Sequence, residues 1–360
     1  MKKKYNFLIT PLNGRNAGTE AFKGLKLTNL YNKIVGTDIS SFSYGNHVTK
    51  HFYIQPYASS NGYINAILDI VKKEQIDVII PGSDYELKAL SKNRDLFSRL
   101  DVHLLVNSSS VIDVCMDKAG TSKFLRDNNL PYIKTQHLSF NNGVASPSYA
   151  EVEALLGLPF VVKPQCFSGG SNGISIIQDQ DDWQAFERTN ANSHVEFIAQ
   201  QYIDAPNNEY TVGVMSDVAG KIISSFALRR DLTTAGSIIS RVKFKRKEAS
   251  KNEHIIISSG ISQGLVKEYR RVRGFAEIVA VKLKSVGPLN IQCRLYKGKI
   301  YIFEINPRFS GTTSIRAVLG HNDVELIFYS IIKGVNLGQQ KYNYASVVRG
   351  KDVNCKVLEK

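Results

Sequence analysis

A lysine at the end of an apolar stretch precedes a loop rich in glycine and serine. Val161-Val162-Lys163-Pro164 is followed at 168–173 by Ser-Gly-Gly-Ser-Asn-Gly. Glycine lets backbone N–H groups approach phosphate oxygens, serine hydroxyls add donors, and lysine adds a compact positive charge. The order is not that of a P-loop, because the lysine precedes the glycines. The pattern therefore indicates either a polyphosphate-binding loop or an ordinary hairpin turn.

A second polar group lies at 290–308. Glu304 and Asn306 are two residues apart, so on a strand both side chains point to one face, and Gln292 lies on the preceding strand of a predicted hairpin. Hard oxygen ligands of this kind suit Mg²⁺, which completes its shell with phosphates and water. Arg308, just beyond, could neutralise a transferring phosphoryl group. The alternative is a strand that ends at an Asn-Pro turn with solvated side chains.

A third stretch, 197–203, reads Phe-Ile-Ala-Gln-Gln-Tyr-Ile and is followed by Glu209. An extended segment can present its backbone N–H and C=O groups to the edge of an adenine, and a nearby glutamate can accept from ribose hydroxyls. By itself the stretch indicates only a strand.

Taken in chain order, these elements resemble the ATP-grasp superfamily, and within it the carbamoyl-phosphate-synthetase-like carboxylate–amine ligases. The resemblance extends over roughly residues 5 to 335, and the Glu-x-Asn-Pro-Arg end with its upstream glutamine is its most specific element. It implies a nucleotide site in which each element has a role. Lys118 and Lys163 contact the ATP phosphates, Ser168, Gly169, Gly170 and Ser171 belong to the loop that closes over them, Gln201, Tyr202 and Ile203 form the adenine-binding linker, and Glu209 binds the ribose.

The resemblance also implies the catalytic and metal-binding residues. Gln292, Glu304 and Asn306 match magnesium ligands, with two ions expected and Mn²⁺ as an alternative cation. Arg308 matches an arginine that faces the γ-phosphate and an acyl phosphate, and Lys163 shares in spreading that charge. Arg241 is a further candidate for the same phosphate.

The activity implied is an ADP-forming ligase that activates a carboxylate as an acyl phosphate and joins it to an amine. Two alternatives stay open. One is phosphorylation of a small acid, as in carbamoyl phosphate synthesis. The other is a basic nucleic-acid-binding protein with a degenerate ATP site, although the sequence has no zinc pattern and no recognition-helix motif.

Composition narrows the choice of partners. The chain has 360 residues, 43% of them hydrophobic and 22% charged, with a formal charge of +14. Such a basic excess suits nucleic acid, an anionic membrane surface or an anionic small substrate. Twelve Lys and Arg against four acids lie between 229 and 273. The stretch 229–247 therefore predicts that at least one of the two substrates is anionic, rather than a nucleic-acid partner.

Other features bear on location and assembly. The longest apolar runs fall short of the ~18–20 residues of a membrane span, and the start of the chain is too short an apolar run for a signal peptide. The four cysteines form no C-x-x-C pair. We expect a cytoplasmic protein that does not act at a membrane, and a homodimer is compatible with the sequence.

The elements that must position these residues follow from hydrophobic periodicity. The first ~110 residues alternate apolar runs, such as 5–10 and 76–81, with helical patterns, such as 63–73. That order predicts a parallel sheet with ligand-facing loops beyond its strand ends. The expected fold class is α/β (α+β grasp): a Rossmann-like pre-ATP-grasp domain followed by a two-subdomain ATP-grasp fold. The predicted boundaries give a pre-ATP-grasp domain at 1–112, a small subdomain with the glycine-rich loop at 113–203, a C-terminal subdomain with the metal site at 204–338, and a tail at 339–360.

The sequence also suggests where the second and third substrates bind. Candidate contacts are the loops at the carboxyl edge of the first sheet and the stretch after the metal-binding strand. These segments are 13–18, 38–44, 82–86, 229–246 and 310–314, together with Arg316.

Overall fold

The computed structural model describes residues 3–141, 143–166, 173–245, 252–335, 337–350 and 353–357. Among these residues, no helix is both long and apolar enough to cross a bilayer.

The first third of the chain folds around a five-stranded sheet. All its neighbouring strands are parallel, in the order β3-β2-β1-β4-β5, as the alternating pattern predicts. The strands are β1 (Tyr5–Thr10), β2 (Tyr31–Asp38), β3 (His51–Ile54), β4 (Val78–Pro81) and β5 (His103–Leu104). The helices are α1 (Ala17–Lys26), α2 (Tyr44–Val48), α3 (Tyr63–Glu74), α4 (Asp84–Lys92), α5 (Arg94–Ser98) and α6 (Ser109–Met116).

Local sequence explains these elements. All four residues of β4 are buried, as expected for a strand covered on both faces of a parallel sheet. Helix α3 buries Ile67, Ile70 and Val71 along one side, which is the spacing of an amphipathic helix. Ser83 begins α4 by accepting a hydrogen bond from the backbone N–H of Glu86, a standard N-cap. That cap places the first turn of α4 directly beyond the end of β4.

The small subdomain contains an antiparallel sheet in the order β7-β6-β10-β8-β9. Its core is aromatic, with Trp183 packed edge to face against Phe160, and Phe186 likewise against Phe197. The polar stretch 139–148 contains Gly143 and Pro147, which are typical of a loop, but residues 139–141 pair with 144–146 as the hairpin of β6 and β7. The elements are α7 (Lys118–Asp127), β6 (Thr135–Asn141), β7 (Val144–Ser146), α8 (Tyr149–Leu156), β8 (Phe160–Pro164), β9 (Ser175–Ile177), α9 (Gln180–Asn190) and β10 (Phe197–Gln201).

The remainder of the chain forms a seven-stranded sheet and a separate two-stranded sheet. The large sheet has the order β17-β16-β11-β12-β15-β18-β19, and β13 pairs with β14. The strands are β11 (Glu209–Ser216), β12 (Ile222–Arg230), β13 (Ile238–Lys243), β14 (His254–Ser258), β15 (Gly264–Val266), β16 (Pro288–Tyr296), β17 (Lys299–Asn306), β18 (Ala345–Arg349) and β19 (Val353–Val357). The helices are α10 (Arg270–Leu283), α11 (Thr313–Val318) and α12 (Asp323–Lys333).

Two of the predicted domain boundaries do not coincide with the ends of elements in the structure. The segment 339–360, predicted as a tail, carries β18 and β19, which extend the large sheet beyond β15. Burial of Ala345 and Val347 in an apolar cluster explains why this segment is part of the fold. The boundary predicted after residue 112 falls inside α6.

The first domain and the last share a hydrophobic core. Phe7 and Ile9 of β1 lie in one buried cluster with Val324 and Phe328 of α12. Hydrogen bonds add to this contact, since Asn107 donates to the carbonyls of Pro288 and Pro307. The loop ends of the first sheet are therefore held beside the carboxyl end of β17, where the predicted metal ligands lie.

Candidate functional site

The predicted site residues converge on one cleft between the small subdomain and the large sheet. Strands β8 and β10 form one wall of this cleft, and β16 and β17 form the other. Its lining includes eight of the residues singled out in the sequence: Lys118, Lys163, Gln201, Tyr202, Ile203, Glu209, Gln292 and Glu304.

Two lysines form the positive end of this cleft. Lys163, on β8, is 7% exposed and its Nζ donates to the carbonyl of Phe303 on β17 at 3.3 Å. Lys118 begins α7, and its Nζ lies 3.4 Å from the carbonyl of Gln165. Burial, followed by the charge of Lys118, lowers the pKa of Lys163 to about 7 against the opposing effect of Glu304. Both effects disfavour the protonated form of Lys163, so an anion bound beside it would favour that form.

The oxygen-bearing side chains meet across the β16–β17 hairpin. Gln292 and Glu304 are directly opposite in register, and Gln292 Nε2 donates to Glu304 Oε2 at 2.6 Å. Asn306 follows on the same strand and lines an adjoining cavity together with Glu304 and Lys118. Among the described residues no group of three His, Cys, Asp or Glu side chains could hold a metal. One carboxylate and two amide oxygens instead fit Mg²⁺, which binds few protein ligands and keeps water and phosphate in its shell.

The linker between β10 and β11 is held by side chains from other strands. Arg294 Nη1 donates to the carbonyl of Ile203 at 2.7 Å, and the hydroxyl of Tyr202 accepts from the backbone N–H of Ile256 at 3.0 Å. The backbone N–H of Gln201 is already bonded to Lys134. These contacts hold residues 201–203 in place along the cleft, and contact of this segment with adenine stays a prediction.

Glu209 is buried in a charged triad. Its two carboxylate oxygens accept from Arg230 Nη1 at 3.1 Å and from Arg294 Nε at 2.9 Å, and its side chain is 0% exposed. Burial opposes ionisation of Glu209, but the charges of Arg294 and Arg230 outweigh it and lower the pKa of the carboxyl group. The prediction that Glu209 binds ribose stays untested. The structure adds that both its oxygens already have partners.

Arg308 and Arg241 occupy different surroundings. Arg308 forms an ion pair with Asp84, at the start of α4, and its Nη2 donates to Asn306 Oδ1 at 3.2 Å. Arg241 is exposed on β13 and is not among the described residues that line the cleft. The loop residues Ser168, Gly169, Gly170 and Ser171 lie outside the described residues.

The stretch predicted to face substrate after β17 is buried instead. Ser310 and Thr312 bind the guanidinium of Arg316, which is 1% exposed and also pairs with Asp323 at 2.6 Å. Ser314 donates to Glu20 of α1. These residues join the first and last domains, so the expectation that they contact substrate is replaced by a structural role.

Sequence reasoning did not single out Arg294 or Asp84. Arg294 lies two residues after Gln292, so strand alternation places it on the same face as a predicted ligand and could have identified it. Asp84 was included only within the segment 82–86, and no local spacing connects it with Arg308, 224 residues away.

Most of the chain matches two models of known protein families. Residues 7–105 match the family model described as PylC-like, N-terminal domain, and residues 115–312 match the model of the ATP-grasp domain. The carbamoyl phosphate synthase large chain of Thermoplasma acidophilum is 21% identical over 334 residues, which are 90% of this chain and 29% of that protein. That of Helicobacter pylori (strain J99) is 23% identical over 256 residues, covering 69% and 21%. The chain spans less than a third of the length of these relatives.

Solved structures share the fold at low sequence identity. N5-carboxyaminoimidazole synthetase from Staphylococcus aureus, complexed with ADP, aligns with a TM-score of 0.69 and 12% identity, covering 96% of this chain and 82% of that one. The L-amino acid ligase from Bacillus licheniformis aligns with a TM-score of 0.61 and 17% identity, covering 92% and 75%. Both alignments include the parallel-sheet domain as well as the cleft.

Proposed function

The chain belongs to the ATP-grasp family, and from this premise we propose that it is an ATP- and Mg²⁺-dependent carboxylate–amine ligase that forms ADP. The observation that carries the proposal is the convergence of Lys118, Lys163, Gln292 and Glu304 on one cleft. A positive end beside hard oxygen ligands suits a nucleoside triphosphate with its divalent cation. The linker residues Gln201, Tyr202 and Ile203, which line the same cleft, suit the base.

In the first step, a carboxylate oxygen of the acid attacks the γ-phosphorus of ATP. The bond between the γ-phosphorus and its bridging oxygen breaks, ADP leaves, and an acyl phosphate forms. Lys163 and Lys118 stabilise the phosphates by charge, and the anion in turn restores the protonated form of Lys163. Arg308 lies beyond β17 on the side of Asn306, where it can face the transferred phosphoryl group.

The cation supplies charge neutralisation between the phosphates when it is bound. Gln292, Glu304 and Asn306 would hold it, and we propose two ions, with Mn²⁺ able to replace Mg²⁺. Lys118, Lys163, Gln201, Tyr202, Ile203 and Glu209, with the loop residues Ser168 to Ser171, make up the proposed nucleotide contacts.

In the second step, the amine nitrogen attacks the carbonyl carbon of the acyl phosphate. The carbon–oxygen bond to phosphate breaks, inorganic phosphate leaves, and the nitrogen loses a proton to the departing phosphate or to water as the amide forms. An acyl phosphate is a far better acylating agent than a carboxylate, so the task of the protein is to position the two substrates and exclude water.

The substrates are proposed only by class. The basic stretch 229–247 supports an anionic acid or amine, although two of its cations already have partners. Arg230 is in the buried triad, and Lys245 pairs with Asp179 at 2.7 Å and Asp182 at 2.9 Å. Arg241 and Lys243 are the exposed cations of β13 that remain candidates. We further propose a cytoplasmic enzyme, compatible with a homodimer.

A second candidate function is phosphorylation of a small acid such as bicarbonate or carbamate. It is favoured by the similarity to carbamoyl phosphate synthase large chains, although this chain spans less than a third of their length. Both functions share the first step, so they differ in whether an organic acid and an amine are consumed.

The deciding experiment measures ADP release with amino acids and other carboxylates, singly and in pairs with amines. With the true acid, hydroxylamine should trap the acyl phosphate as a hydroxamate, which is detected by mass spectrometry. ADP release with bicarbonate alone, and no hydroxamate from any organic acid, would favour the second candidate. No acid-stimulated ADP release at all would contradict both.

A further inference from the structure

Asp84 links the N-terminal domain to the catalytic strand. It is the first residue of α4, and its Oδ1 accepts from Arg308 Nε at 2.5 Å. Arg308 also donates from Nη1 to the carbonyl of Phe309 at 3.1 Å and from Nη2 to Asn306 Oδ1 at 3.2 Å. The guanidinium is thus held on three of its nitrogens by groups from two domains.

The pair is largely removed from water. The side chains of Arg308 and Asp84 are 18% and 20% exposed. At such depth a charge pair is screened less than on the surface, and removal of one partner leaves the other uncompensated.

The ion pair of Asp84 and Arg308 lies beside the proposed cation ligands. Asn306 Oδ1, which accepts from Arg308, is also the oxygen through which Asn306 would bind a divalent cation. Asp84, Glu304 and Asn306 line the same cavity. A guanidinium without a counter-charge there would repel a divalent cation at close range.

We propose that Asp84 is a positioning residue: it fixes Arg308 beside Asn306 and neutralises its charge, so that cation and phosphoryl group can be held together. The proposal rests on the proposed function, because it assigns Asp84 a task within that nucleotide and cation site. It makes the N-terminal domain part of the catalytic apparatus rather than a wall that only receives substrate.

The experiment measures cation binding rather than turnover. Mn²⁺ binding to the full chain is titrated by electron paramagnetic resonance with saturating ADP, and ADP binding without metal is measured by calorimetry. In Asp84→Asn, which keeps the shape and an acceptor oxygen but removes the charge, the dissociation constant of Mn²⁺ should rise about tenfold. Metal-free ADP affinity should change less than about twofold, because the lysines and the linker are intact.

A matched control removes a negative charge from the same domain without touching Arg308. Asp113 on α6 pairs with Lys88 of α4 at 3.5 Å and is more exposed than Asp84. Asp113→Asn should leave the dissociation constant of Mn²⁺ within about twofold of the unmodified protein. Circular dichroism and thermal denaturation verify that each variant is folded.

The double variant separates two roles for Asp84. If Asp84 acts by neutralising Arg308, Asp84→Asn combined with Arg308→Gln should return Mn²⁺ affinity to near the original value. An affinity that stays weak would show that Asp84 binds the cation or its water directly, which contradicts the proposal.

The outcomes distinguish this proposal from the proposed function. Unchanged Mn²⁺ affinity in folded Asp84→Asn would overturn the role of Asp84 and leave the ligase proposal standing. An unmodified protein that bound neither ADP nor Mn²⁺ with ADP would overturn both.

Discussion

Two buried ionisable groups, one in the cleft and one in the N-terminal domain, respond to burial in the same way but differ in what surrounds them. Lys163 has its pKa lowered to about 7, and Glu86 on α4 has its pKa raised to about 8. Desolvation is the largest cause for both, since it disfavours whichever form is charged. Neither pKa by itself identifies a site.

The surroundings separate the two groups. Lys163 lies in an open cleft beside a second lysine, so an incoming anion can compensate its charge. Glu86 is enclosed by neutral partners: Gln55 and Thr10 donate to one oxygen and Ser83 Oγ to the other at 2.9 Å, while the charge of Asp38 adds to the upward shift of its pKa. A shifted pKa therefore indicates function here only where a cleft gives the group access to a ligand.

The largest effect is expected from the cleft. Glu304→Ala removes the one carboxylate among the three proposed cation ligands, so ADP formation should fall on the order of 10²-fold or more. A coupled ADP assay measures it, and Glu196→Ala, an exposed acid on the small subdomain, serves as the control. An undiminished rate in Glu304→Ala would remove this residue from the site.

The next effect concerns Glu86 and stability. Its pKa is higher in the folded chain than its ordinary value of 4.5, so the folded protein holds an extra proton between about pH 4.5 and 8. The stabilisation is present below that window and is lost as pH rises through it. In the ligand-free protein, the free energy of unfolding should therefore decrease as the pH rises through this window. Glu86→Gln should make that decrease smaller by roughly 1 to 3 kcal/mol. Urea denaturation at several pH values measures it, and parallel curves for the two proteins would show that Glu86 is ionised in the fold.

The third prediction concerns Lys163, where nucleotide binding should be coupled to proton uptake. Its folded pKa of about 7 lies below the ordinary 10.5, so at pH 8 the ligand-free lysine is mostly neutral and a bound nucleotide should draw in about one proton. Calorimetry of ADP binding in buffers of different ionisation enthalpy detects this uptake. At pH 6 the uptake should vanish, and in Lys163→Met it should be absent at both values, with affinity weaker by about tenfold. Equal proton uptake by the variant would assign it to another group.

The smallest effect is expected at the exposed strand β13. Neutralising Arg241 and Lys243 to Gln should raise KM for the anionic substrate roughly threefold, since each exposed charge contributes up to about 1 kcal/mol. KM for ATP should stay unchanged, because these side chains are absent from the described lining of the cleft. Lys282→Gln with Lys284→Gln is the control. Equal changes in both KM values would contradict a substrate role for β13.

Local pattern was sufficient for much of the fold. In buried strands such as β4 and amphipathic helices such as α3, the hydrophobic pattern indicates a single type of secondary structure. The sequence predicts the bounds of these elements to within a few residues. It was insufficient at 139–148, where Gly143 and Pro147 resemble loop residues but the flanking residues pair as strands. The segment 339–360 was predicted as a tail, and in the structure β18 pairs with the distant strand β15 while β19 pairs with β18.

For the site, the sequence determined which residues share a strand face and which residue types can bind phosphate or a hard cation, because alternation and side-chain chemistry are local properties. Lys163, Gln292 and Glu304 were found in this way, and the structure brings them together. Only the tertiary structure decided the partners that set their charge. The pairing of Glu209 with two arginines, and of Arg308 with Asp84, depends on strands and domains that are distant in the chain. Burial and long-range charge fix those states, and neither is encoded in the spacing of neighbouring residues.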